Sequence, residues 1–205
     1  MALLTPSSPV RNRPRGTNLR RWLLLLGWLV LAVPNVGRAD ADPAAVKAAF
    51  AYKFTLHIEW PTNLFAGAQA PIIIGVLGDA PLGGLIEKAA AGKLSQGRPV
   101  IVRRCGRVEE LAGCHLVFLR QTDRRRQLEI LTALRGKPVL TVCDSDSFFG
   151  LGVAVKLLVR PDPETGIESV GFWVNRLAAE QSGIKLGSRM LQCADKIVTT
   201  PPVLK

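Results

Sequence analysis

"PIIIGVLGD", residues 71–79, decides the fold. Three isoleucines followed by Gly-Val-Leu present no polar face, and side chains branched at Cβ fit a pleated strand better than a helical turn. A strand that is apolar on both faces belongs inside a parallel sheet, where crossover helices cover it from either side. Gly78 and Asp79 then supply the turn out of the strand.

The flanking segments continue the alternation. "APLGGLIEKAAAGK" (80–93) predicts a short helix, and "RPVIVRR" (98–104) and "CHLVFLR" (114–120) predict strands. "RRRQLEILTALRGK" (124–137) carries the apolar spacing of an amphipathic helix that stops at Gly136, and "PVLTVCD" (138–144) adds another strand. Upstream, Asp42 before Pro43 marks a helix start, and Val46, Ala49, Phe50, Phe54 and Ile58 form one stripe. That helix is expected to run to Trp60, because Pro61 disfavours helical geometry in the residue before it. Downstream, "VAVKLLVR" (153–160) and "ESVGFWVN" (168–175), joined by "PDPETGI", predict a β-hairpin. "NRLAAEQSGIKLGSRMLQCADKIV" (175–198) splits into two short helices, with Ser188 capping the second, before the tail "TTPPVLK". The pattern is α/β: a mixed, largely parallel central sheet flanked by helices, with a C-terminal hairpin and short helices.

Composition narrows the partners. The chain has 205 residues and 48% hydrophobic content, enough for one core, with 27 basic against 16 acidic side chains. Arg11, Arg13, Arg15, Arg20 and Arg21 precede the apolar run "WLLLLGWLVLAV" (22–33), and "PNVGRADAD" follows with small residues suited to cleavage. The run falls short of the roughly 20 residues of a spanning helix, so it reads as an export signal that leaves no stable membrane span. Residues 1–39 are therefore expected to be the signal peptide and residues 40–205 a single exported domain. Cleavage after Ala39 leaves 21 basic and 16 acidic residues, a charge of +5. That charge is scattered, and "DRRRQ" reads as the solvated start of a helix rather than a nucleic-acid surface.

Export opens the possibility of disulfides for Cys105, Cys114, Cys143 and Cys193. Four cysteines allow three pairings. Cys105 and Cys114 flank a short connection between two apolar runs, which places their ends near enough to bridge and leaves Cys143 for Cys193. With no Cys-x-x-Cys and only His57 and His115, no metal site is expected.

No segment assembles a reaction. Gly75 and Gly78 are spaced wrongly for a dinucleotide turn, and no phosphate-loop lysine, nucleophile elbow or zinc-helix motif occurs. His57 and Glu59 lie two apart, so on a helix they diverge rather than converge on a substrate. "DSDSF" (144–148) follows a strand where open α/β sheets place ligands, which makes Asp144 and Asp146 candidate contacts, although Asp and Ser are also ordinary cap formers. No cofactor is expected.

The order of "VKAAFAYKFTLHIEWP", "IIIGVLGDAPLGGLIEK", "GRPVIVRR", "GCHLVFL", "GKPVLTVCD" and "GFWVNRLAAEQSGIKLGSRMLQCA" resembles the YfiR family of exported regulators over most of the mature chain. The resemblance implies a periplasmic, non-enzymatic protein that can form a homodimer. It also implies binding to the periplasmic sensory domain of an inner-membrane diguanylate cyclase, which restrains cyclic-di-GMP signalling and biofilm formation. It makes Glu59, Trp60 and Pro61 the family's first-helix terminus and Asn175 the asparagine ending its hairpin, as framework residues. Trp173 stands where the family often has an acid. Cys114 matches a family cysteine whose usual partner position is Gly75 here, which leaves Cys105 as the candidate for a different bridge. A second reading is a periplasmic small-ligand module serving a transporter or sensor, with Asp144, Asp146, Trp60 and Trp173 as contacts.

Overall fold

A computed structural model describes residues 42–121, 123–199 and 201. The export signal expected over residues 1–39 lies outside the described residues. The chain forms helix α1 (Pro43–Thr55), strands β1 (Ile58–Glu59) and β2 (Ile72–Leu77), helix α2 (Ala80–Ala90), and strands β3 (Leu94–Ser95), β4 (Arg98–Cys105) and β5 (Leu116–Leu119). Then come α3 (Arg124–Leu134), β6 (Leu140–Cys143), α4 (Asp146–Gly150), β7 (Val155–Pro161), β8 (Glu168–Asn175), α5 (Arg176–Gln181), β9 (Lys185–Leu186), α6 (Ser188–Gln192) and β10 (Lys196–Val198).

Among the described residues, eight strands form the main sheet in the order β10-β8-β7-β6-β5-β2-β4-β3. From β4 through β2, β5 and β6 to β7 the neighbours are parallel; β7 and β8 form the antiparallel hairpin, and β10 runs parallel to β8. The expected mixed, largely parallel sheet is thus the observed one. β2 is interior, as its composition requires, paired with β4 on one edge and β5 on the other.

Strand alternation divides the apolar residues between the two faces. Ile72, Ile74, Leu116, Phe118, Leu140, Val142, Leu157, Phe172 and Val174 join Phe54 of α1 and Ile86 of α2 in one buried cluster. Val117, Leu119 and Cys143 point the other way, onto Ile130, Leu131 and Leu134 of α3. Each fully buried large apolar side chain stabilises the fold by about 1.5–3 kcal/mol, so both faces contribute to stability.

Local signals position the helices. Asp42 and Asp79 accept hydrogen bonds from the backbone N–H of Ala44 and Leu82, and Asp123 does the same for Arg126, each satisfying a first-turn donor. Three expectations need correction. Helix α1 ends at Thr55, five residues before Trp60, because Ile58 and Glu59 pair antiparallel with Leu186 and Lys185 of β9. Gln96 Nε2 fixes this exit by donating to the carbonyls of Thr55 and Ile58 at 2.9 and 2.6 Å. At α6, Gly187 rather than Ser188 occupies the cap position, and no side chain caps that end. Residues 196–198, read as the end of the second short helix, form β10 instead.

Candidate functional site

The carboxyl end of the parallel sheet, where the sequence placed possible ligand contacts, holds ion pairs. Lys47 of α1 donates to Asp144 at 2.9 Å, and Arg120, following β5, pairs with Asp79, the cap of α2. Asp146 pairs with the buried Lys156 of β7. "DSDSF" is therefore the start of α4, with Ser145 accepting from the N–H of Phe148. Trp173 lies between two cations, with Lys156 Nζ 4.5 Å and Lys196 Nζ 4.8 Å from its ring centre, and Phe149 meets it edge-on at 6.1 Å. The ion pairs offset the burial of Asp79, Asp144 and Lys156, and the two lysines add cation–π contacts to Trp173. Among the described residues no group of three His, Cys, Asp or Glu side chains is arranged to hold a metal ion.

The residues matched to the family framework are distributed differently from one another. Trp60 is buried and donates its indole N–H to the carbonyl of His115 at 3.2 Å. His115 in turn accepts at Nδ1 from the N–H of Ile73, so its proton resides on Nε2, and its ring stacks on Phe65 at 4.7 Å. Arg98 covers the outer face of Phe65 at 3.9 Å. Burial, with the Arg98 charge nearby, lowers the His115 pKa. Asn175 is buried, caps α5 by accepting from the N–H of Ala178 and donates its own N–H to Ala154. Glu59 is exposed on β1, and Pro61 starts a 3-10 turn over Thr62–Leu64.

All four cysteines are free thiols. Cys105 at the end of β4 and Cys114 before β5 are nevertheless in hydrogen-bonding contact, and burial raises the pKa of Cys114 to about 11. Gly75 makes this possible, since a Cβ there would stand 2.8 Å from Cys114 Sγ. The second expected pair fails on geometry. Cys143 is buried in the cluster under α3, its thiol pushed up to about 12 by burial, whereas Cys193 is exposed beside residues of the opposite face.

That opposite side carries the feature that sequence reading missed. A groove of about 590 Å³ runs between the last turns of α1 and the β8 and α6 region. Its floor is Phe50, Phe54, Phe172 and Met190, with the three phenyl rings 5.1–5.7 Å apart in mutual tilted contacts. Its rim carries Lys53, His57, Arg160 and Arg189, with Asp195 the one acid among the described residues there. Asp195 is bound to Arg160 at 3.0 Å, in space that a Cβ on Gly171 would fill. The β1–β9 pairing shapes this groove, because Gly187 N–H donates to the His57 carbonyl at 2.7 Å and brings α6 against the end of α1. The signal in the sequence was Lys53 and His57 beside an aromatic stripe, but Arg160, Arg189 and Asp195 come from distant segments.

The sequence pattern described as YfiR/HmsC-like matches residues 44–195, from α1 to the last residue before β10. The chain belongs to the YfiR/HmsC-like family. That span includes the groove, the Trp60–His115 contact and the Asn175 cap. No curated protein matches the chain. Among solved structures, a conserved domain protein from Vibrio cholerae is 13% identical, with a TM-score of 0.47 over 77% of this chain and 61% of its own. The ABC domain in complex with L-Trp from Streptococcus pneumonia is 12% identical, with a TM-score of 0.46 over 77% and 62%. The YfiR/HmsC-like chain thus spans about three-fifths of each of these structures.

Proposed function

We propose that this YfiR/HmsC-like chain is a periplasmic regulator. Residues 1–39 direct export, and the domain of residues 40–205 binds the periplasmic sensory part of an inner-membrane diguanylate cyclase and holds it inactive. The observation that carries this reading is the family match over residues 44–195. The state of the polar groups supports it: Asp79, Asp144 and Asp146, which follow sheet strands, are each committed to a basic partner. Action by occupying a surface needs no converging acid, base or nucleophile, only a face that a partner can cover.

The test pairs binding with consequence. The mature chain should capture the periplasmic segment of a membrane diguanylate cyclase in a pull-down from detergent-solubilised membranes. Deleting its gene should raise cyclic-di-GMP and biofilm mass. Unchanged cyclase activity after deletion would sink the proposal.

A further inference from the structure

We propose that the groove between α1 and the β8 and α6 region is the surface that engages the partner, and that its occupant is a protein segment presenting an apolar side chain flanked by carboxylates. This rests on the partner-binding reading above and names the site and chemistry through which it operates.

Three observations carry it. First, the floor is aromatic and already ordered, since Phe50, Phe54 and Phe172 pack on one another, so an apolar anchor enters a preformed slot with little ordering cost. Second, the rim is electrically unbalanced. Arg160 is neutralised by Asp195, but Lys53 and Arg189 have no ion-pair partner among the described residues, and His57 stands beside them. An acidic contact would be drawn to this rim and a basic one repelled. Third, apolar exposure extends past the groove. Leu56, 38% exposed, stands on its wall, and Ile197, 46% exposed, lies two residues past Asp195 on the edge strand β10, paired with Val174. A small ligand would leave these margins in water, whereas a protein segment covers them.

Cys193 provides an internal reporter. It lines the groove and is exposed, whereas Cys105, Cys114 and Cys143 are buried, so an alkylating reagent in the native state reports on this one position.

The experiment uses the full exported chain and, as probe, the immobilised periplasmic segment of a membrane diguanylate cyclase. The K53E/R189E double variant and, separately, Leu56→Asp should bind the probe at least tenfold more weakly. Arg125→Glu, on α3 across the sheet, should bind like the wild type. Thermal unfolding of each variant checks that it is folded. In the complex, alkylation of Cys193 by iodoacetamide should slow at least fivefold. Groove variants that bind as the wild type does, or an alkylation rate unchanged by the probe, overturn the groove assignment while leaving the regulator reading in place. Failure of the wild type to bind the probe overturns the regulator reading itself. Slowing of alkylation by decanoate but not by the probe overturns the protein occupant in favour of a small amphipathic anion.

Discussion

His115 shows how one buried side chain couples this fold to acidity. Folded, its pKa is below the ordinary 6.5, because burial and Arg98 both oppose a second proton. Above about pH 6.5 neither the folded nor the unfolded chain protonates it, and the full stability is present. As pH falls through that value the unfolded chain takes up a proton that the native state resists, so stability declines, then levels once pH is below the folded pKa. Protonation at Nδ1 would also remove the acceptor for the Ile73 N–H. Urea midpoints measured between pH 7.5 and 5 should therefore fall for the wild type and fall less for His115→Gln. At the far end of the hairpin, Asn175→Ala removes the cap of α5 and should cost about 1 kcal/mol by chemical denaturation. Gly171→Ala should cost no more than about 1 kcal/mol, because its methyl group meets the movable ends of Asp195 and Arg160 and parts a partly exposed ion pair.

At the scale of elements, the crossover from β4 to β5 is short and lies over Gly75, with its ends at Cys105 and Cys114. Under an oxidising poise, two-electron thiol–disulfide exchange with an oxidised dithiol oxidoreductase should join these sulfurs, as the S–S bond of the oxidoreductase breaks and it leaves as a dithiol carrying both protons and both electrons. A closed loop of ten residues corresponds to about 3 kcal/mol in the chain-entropy account. Mass mapping of unreduced peptides should find the Cys105–Cys114 link in protein taken from the periplasm, and Cys105→Ser should lower the melting temperature only under non-reducing conditions. Elements also separate what was legible from what was not. Ile72–Leu77, Arg124–Leu134 and the hairpin each carry a full local signal in apolar period, capping acid or turn residues, and each formed where expected. β1, β9 and β10 are two or three residues long and exist through pairing with segments well separated in the chain, and the two residues of β3 close a tight hairpin on β4. Their local sequence carries no period to read, and β1 was absorbed into a helix because Ile58 continues the stripe of α1.

Across the molecule, stability should follow the depth of each strand in the sheet. β2, β5 and β6 are paired on both edges and covered on both faces, whereas β10 and most of β4 are edges. Native-state hydrogen exchange should be slowest at Val117, Phe118 and Val142 and faster by orders of magnitude along β10, and uniform exchange would contradict this. The groove was illegible for a related reason. Phe50 and Phe54 read correctly as an apolar stripe, but the opposing wall is assembled from residues more than a hundred positions later, which the β7–β8, β1–β9 and β8–β10 pairings bring near.

The parallel seating of β10 on β8 has a bearing on biogenesis. Synthesised amino end first, the polypeptide completes every other strand that the described residues give the main sheet before residues 196–198 emerge. Until then the outer rim of the hairpin is an open ribbon, a vulnerable target for proteases and for neighbouring nascent chains. A premature stop codon only a few triplets upstream of those three residues would thus be expected to turn the chain into a substrate for quality control, although almost the whole hydrophobic interior would have been made.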